Sequence, residues 1–158
     1  MNYLKNLLFA FCLVSGCGLA TAVSAQIPND VTLQADIPYT FAVGNTRLPA
    51  GKYTVKVADD EDLNLMEIRS ADGRTSVFFE TETAVSNERH GKTELVFDKI
   101  GDEYFLSQVW LEGNRSGNQL SESKIQQSAK AGDQTSAEKR SVVGEIGRTI
   151  KSVGKKLR

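Results

Sequence analysis

Val31-Thr32-Leu33-Gln34-Ala35-Asp36-Ile37-Pro38-Tyr39-Thr40-Phe41-Ala42-Val43 is the stretch that decides the fold. Val31, Leu33, Ala35, Ile37, Tyr39, Phe41 and Val43 fall on one face of an extended chain and Thr32, Gln34, Asp36 and Thr40 on the other, the period-two pattern of a half-buried antiparallel strand. Pro38 interrupts it. A proline donates nothing to a ladder, so it marks an edge strand or a bend where the chain passes from one sheet to another. Gly44-Asn45 signals a turn, and Leu48-Pro49-Ala50-Gly51 suits a tight turn with Pro49 at its second position. Residues 52–57 alternate again, with Tyr53, Val55 and Val57 inward. The acidic loop 59–62 leads to a strand at 65–70, and the Asp72-Gly73 hairpin signal opens residues 76–85, whose Val77, Phe79, Thr81, Thr83 and Val85 share a face. Beyond the loop 86–92 come a strand at 94–100, the turn Gly101-Asp102 and an apolar run at 104–111 that reads as covered on both sides. With no helical periodicity between residues 31 and 112, the pattern predicts an all-β domain over 27–112: a single antiparallel β-sandwich or small barrel of about seven strands.

The segments Ala35-Asp36-Ile37-Pro38-Tyr39-Thr40-Phe41-Ala42-Val43-Gly44, Leu48-Pro49-Ala50-Gly51-Lys52-Tyr53-Thr54-Val55 and Tyr104-Phe105-Leu106-Ser107-Gln108-Val109-Trp110 resemble a family of uncharacterised secreted bacterial β-rich proteins. The resemblance covers residues 27–112. It implies a fold and a secreted setting, and no activity, cofactor or catalytic residue.

Ahead of this domain, Lys5 supplies a positive start, residues 7–14 an apolar run, and Val23 and Ala25 the small residues that precede a cleavage site. Residues 1–25 therefore read as a signal peptide, with export to the periplasm or the exterior as the expectation. Val14-Ser15-Gly16-Cys17 resembles a lipobox, so a lipoprotein anchored at Cys17 is the alternative. Both cysteines, Cys12 and Cys17, lie in this segment, and a cleaved chain must be held by its apolar core without disulfides.

Charge divides along the chain although the net value for the 158 residues is only −1. Residues 26–112 carry eight Lys and Arg against sixteen Asp and Glu, and residues 138–158 carry seven against two. No basic field that would gather nucleic acid is present in the domain. Residues 113–140, rich in Gly, Asn, Ser, Gln and Lys, read as a flexible polar linker, mostly disordered, in which Ser121 caps at most a marginal helix at 122–131. In 141–158, Val142, Val143, Ile146, Ile150, Val153 and Leu157 recur at steps of three and four, which predicts a C-terminal basic amphipathic helix. Arg148, Lys151, Lys155, Lys156 and Arg158 on that helix would contact an anionic membrane surface or a partner.

Residue types that carry chemistry are sparse. His90, the one histidine, sits in a polar loop without other nitrogen or sulfur ligands and reads as a solvated loop residue. Glu80 and Glu82 alternate on one strand, at a separation that carboxylate pairs use in glycoside hydrolysis, and read more simply as a wet strand face. The acidic loop 59–62 lacks the spacing and glycine of a calcium loop. Tyr39, Phe41, Tyr53, Phe79, Phe97 and Trp110 read as core. The expectation is a protein with no enzymatic activity and no cofactor: a binding or structural module of the cell envelope, presenting loops 59–62 and 86–92 to a protein or envelope component. A surface-attached protein held by its C-terminal helix is the alternative, and a carboxylate hydrolase the third reading.

Overall fold

The computed structural model describes residues 31–59, 61–132 and 137–148. Among them are eleven strands and one helix: β1 (Val31–Ile37), β2 (Phe41–Val43), β3 (Thr46–Leu48), β4 (Gly51–Val57), β5 (Leu65–Ser70), β6 (Ser76–Glu80), β7 (Glu82–Val85), β8 (Glu94–Ile100), β9 (Glu103–Trp110), β10 (Ser116–Gln119), α1 (Lys124–Gly132) and β11 (Glu138–Arg148). The fold is all-β, built on a nearly closed, barrel-like sheet with the strand order β3-β2-β9-β8-β11-β1-β4-β5-β6. Every pairing is antiparallel except a single parallel bridge between Ala42 of β2 and Phe105 of β9.

One face is β11-β1-β4-β5-β6; the other is β3-β2-β9-β8-β11. Pro38 lies where the chain leaves β1 in the first and enters β2 in the second, so it marks the bend between sheets. Thr81 does the same on the far side: β6 passes through it into β7, which pairs with β10, and β10 pairs with β9. That path brings the order back to β9 and closes the wall over part of its height. Elsewhere β3 and β6 each have one partner strand among the described residues.

The interior is filled from both faces by Leu33, Ile37, Phe41, Val55, Met66, Ile68, Leu95, Phe97 and Val109, each 1% exposed or less. Burial of side chains of this size contributes about 1.5–3 kcal/mol each. Phe41 meets Tyr53 and Phe97 edge-on at 5.2 and 5.5 Å, the favoured arrangement of aromatic quadrupoles. Outside the second face, α1 lays Ile125 and Ala129 over Ala42, Ile100 and Phe105. Its first turn is capped by Ser123, whose Oγ accepts from the Gln126 amide at 3.2 Å.

Several expectations are corrected. The expected basic amphipathic helix at 141–158 is a β-strand over 141–148: β11 pairs residues 138–143 with β8 and residues 144–148 with β1. Val142, Val143 and Ile146 satisfy a helical stripe, but they are β-branched, and both neighbouring strands need a partner for their backbone. Gly144 makes the crossing possible, because a Cβ there would lie 2.8 Å from Leu33 Cδ2 and 3.0 Å from the Gln34 carbonyl. Within the expected linker 113–140 lie β10, α1 and the start of β11. About seven strands become eleven because Pro38 and Thr81 divide long extended runs and because β3, β10 and β11 carry too few alternating apolar residues to be read as strands. The alternation slips at Thr81 as well. Val85 is 78% exposed and Ala84 is buried, since the chain changes sheet there. The expected signal peptide at 1–25 and residues 149–158 lie outside the described residues.

Candidate functional site

A cleft of about 590 Å³ lies where the wall of described strands does not close. One side is the β2–β3 hairpin, contributing Val43, Gly44, Asn45 and Thr46; Gly44 takes the turn at φ 57°, a left-handed conformation that glycine adopts without strain. The other side is β6 and the bend after it, residues 77–82. Leu65 and Leu120 contribute apolar surface between them. The ionisable groups lining the cleft are Glu80 and Glu82, both exposed.

The end of β6 is held by a buried polar knot. Thr81 donates its amide to the Asn64 carbonyl at 2.9 Å and its hydroxyl to the same oxygen at 2.9 Å, while the Asn118 Nδ2 group donates to Thr81 Oγ1 at 3.0 Å. Asn118, wholly buried on β10, thereby ties the second sheet to the last strand of the first. Its Oδ1 has no hydrogen-bond partner among the described residues. Past this knot the wall is sealed by the β7–β10 pairing; before it, β6 presents an edge with no partner strand among the described residues, and Phe78, 60% exposed.

Glu80 and Glu82, expected on one strand face, instead flank the Thr81 bend, the first ending β6 and the second opening β7. They still share the cleft. His90 is not a solvated loop residue: its ring stacks on Trp110 at 3.9 Å, and its Nδ1 lies 3.3 Å from Glu94 Oε1. Lys92 reaches the other oxygen of Glu94 at 3.2 Å. Trp110 itself belongs to a satellite cluster with Ala84 and Val96 outside the main core, against Gly117. This arrangement braces the 86–92 loop, which Arg89 also ties down by donating to the Gly113 carbonyl at 2.7 Å.

In the acidic loop, the Asp59 and Asp62 carboxylates accept from the amides of Glu61 and Asn64, a turn-forming use of their oxygens. Among the described residues no group of three or more His, Cys, Asp and Glu side chains gathers as metal ligands, and no helix is long and apolar enough to cross a membrane. Arg148 stands opposite Val31 at the end of β11, whereas Lys151, Lys155, Lys156 and Arg158 lie outside the described residues.

No family model, no curated protein and no solved structure matches this chain. The site therefore rests on its own geometry.

Elsewhere on the first face, Glu67 is a buried carboxylate facing outward. Burial alone would push its pKa up, but hydrogen bonds from Ser76 at 2.6 Å, Arg69 at 2.6 and 2.8 Å, and the nearby Lys56 outweigh it and hold the group below the usual carboxylate range. With its charge compensated on all sides, this cluster stitches β4, β5 and β6 together.

The sequence reading missed Phe78 and the Thr81–Asn118 knot. The Phe78-Phe79 pair carries a signal for the first: adjacent strand residues point to opposite faces, so one of the two rings must leave the core. Nothing local marks Asn118, whose burial depends on the distant β7.

Proposed function

We propose that this protein is an exported, non-enzymatic binding module of the cell envelope that takes up an extended polypeptide segment along the open edge of β6. The single observation that supports this is the seam between β3 and β6, where, among the described residues, the outer edge of β6 has no partner strand and stands beside a cleft with apolar walls. An exposed strand edge is a template for pairing with another chain, and natural sheets that leave one open blunt it or use it. Backbone hydrogen bonds supply generic affinity in such a mode, and side chains alternating into the cleft supply selectivity. Here Leu65, Val77 and Leu120 favour an apolar side chain, and Glu80 and Glu82 favour cations beside it. The occupant so described is a basic, partly apolar segment in extended conformation.

The test uses the full chain with Lys151, Lys155, Lys156 and Arg158 replaced by Gln, titrated with a short peptide of alternating Lys and Val and, as a control, one of alternating Glu and Val. Backbone amide shifts at residues 43–46 and 77–82 with the Lys peptide alone are the expected result. Absence of shifts there, or equal shifts with both peptides, would refute the proposal.

A further inference from the structure

We infer that the outer edge of β6 pairs with the same edge of a second copy of this chain, in a two-fold antiparallel strand pair centred on Phe78. This rests on the reading of that edge as a strand-pairing site and names its resident partner, which a better-matched peptide displaces.

Backbone geometry comes first. Thr81 donates its amide to the Asn64 carbonyl at 2.9 Å and Ser70 donates its amide to the Thr75 carbonyl at 2.9 Å, so these two pairs close the β5–β6 ladder at its ends. Hydrogen-bonded pairs alternate along an antiparallel ladder, and between those ends the register sets Phe79 opposite Met66 and Val77 opposite Ile68. Val77 and Phe79 therefore turn their amides and carbonyls toward β5. Ser76, Phe78 and Glu80 turn theirs to the outer edge, which has no partner strand among the described residues. An antiparallel copy centred on Phe78 sets the two Phe78 residues opposite each other and Ser76 of each chain opposite Glu80 of the other. Every outward-facing residue of β6 then meets its match in a hydrogen-bonded pair, the isologous contact that a two-fold axis produces.

The side chains agree with that register. Phe78, 60% exposed on the outer face, meets its own equivalent, and aromatic pairs are among the favoured cross-strand contacts. On the inner face Val77 lies opposite the copy's Phe79. Toward the ends Arg74 comes opposite the copy's Glu82, a cation against an anion, twice by symmetry. The Arg74 side chain is 86% exposed, 3.7 Å from Asp72, and Glu82 is exposed. The segment Arg74-Thr75-Ser76-Val77-Phe78-Phe79-Glu80-Thr81-Glu82 is thus self-complementary about its central residue. Centring the pair on Val77 would set Glu82 against Asp72, and centring it on Phe79 would set Arg74 against Ala84.

Size sets the strength. One edge of five residues falls short of the about 1,200–2,000 Å² that stable complexes bury, so the dimer is weak and reversible. A peptide that places cations beside both Glu80 and Glu82 displaces the copy, which offers Ser76 to Glu80.

Three measurements on the full chain decide it. Sedimentation equilibrium is expected to show monomer–dimer exchange with its midpoint between about 10 μM and 1 mM. In a mixture of isotope-labelled and unlabelled chains, an intermolecular Overhauser contact between the α-protons of Val77 and Phe79 is expected, because a non-hydrogen-bonded pair brings the strands closest. Arg74→Glu and Glu82→Arg are each expected to weaken the dimer about tenfold, and the two together to restore it to within about threefold, a rescue that a general effect on the fold would not give. A chain that stays monomeric up to about 1 mM, intermolecular contacts that map away from β6, or additive weakening in the double variant would overturn the inference. Backbone contacts to the β6 edge that persist in the diluted monomer would assign the edge to another segment of the same chain and overturn it as well. If the chain is monomeric and the Lys-Val peptide still shifts residues 77–82, self-pairing fails and the peptide site stands. If the dimer forms as described and the peptide shifts nothing, the peptide reading fails alone; if neither occurs, both fail.

Discussion

Thr81→Val tests the knot that ends the seam. The substitution keeps shape and β-branching but removes a hydroxyl that donates to Asn64 and accepts from Asn118. The Asn64 carbonyl is not orphaned, because the amide of residue 81 still donates to it. The Asn118 carboxamide is orphaned: it is fully buried, and its oxygen already lacks a hydrogen-bond partner among the described residues. Stranding a buried donor costs about 1–3 kcal/mol and losing the second bond about 1 kcal/mol. One added buried methyl offsets about 0.8 kcal/mol, leaving a net loss of about 1–3 kcal/mol, a large share of the 5–15 kcal/mol typical of a domain. Asn118→Leu removes the group that Thr81→Val strands, so the double variant is expected within about 1 kcal/mol of the parent, with a coupling of about 1–3 kcal/mol. Urea unfolding of the four proteins at constant m-value measures this. A Thr81→Val cost below about 0.5 kcal/mol, or additive losses in the double variant, would refute the knot.

Gly117→Ala is expected to destabilise the protein by about 1–3 kcal/mol and to alter Trp110 emission, since the new Cβ would sit 2.5 Å from the indole Cε3 and 2.7 Å from the Val109 carbonyl; unchanged stability and fluorescence would contradict that packing. Because the pKa of Glu67 is held below its unfolded value, its contribution is present above the carboxylate range and lost as pH falls through the folded pKa. Urea midpoints measured from neutral to acidic pH should therefore fall more steeply in the parent than in Glu67→Gln, and parallel curves would exclude the effect. Tyr39 is pushed up to about 12 by burial, then by the neighbouring Tyr104, against a smaller opposing pull from Arg140. Its contribution is complete below the unfolded value near 10 and is lost as pH rises toward 12, so alkaline titration should lose its latest tyrosinate in Tyr39→Phe, while Tyr53, also pushed up by burial, still titrates above the usual range.

The strands that alternate cleanly were legible in the sequence. Tyr53, Val55 and Val57 are inward as read, the Asp72-Gly73 hairpin joins β5 to β6, and Pro38 is the bend between sheets. What was not legible lies where tertiary pairing overrides local pattern. Ser116-Gly117-Asn118-Gln119 has no apolar face and becomes β10 only because β7 and β9 offer their edges and Gly117 admits the Trp110 ring. In β11, Val142, Gly144 and Ile146 fit period two as well as the helical stripe fits three and four, and nothing within eleven residues decides between them. At the candidate site, Glu80 and Glu82 could be singled out from sequence, but their placement on either side of a sheet-changing bend could not. The phase slip at Thr81 is visible only once Asn118 and Asn64 are brought to it.

The central claim is that the edge of β6 receives an extended chain. The most direct measurement is a nuclear Overhauser map of the full chain, with Lys151, Lys155, Lys156 and Arg158 replaced by Gln, saturated with the Lys-Val peptide. Backbone-to-backbone contacts between the peptide and residues 77–80, spaced by two residues as a strand ladder requires, are the predicted result. A peptide found on the outer face of either sheet, or one that contacts β6 through side chains alone, would contradict it.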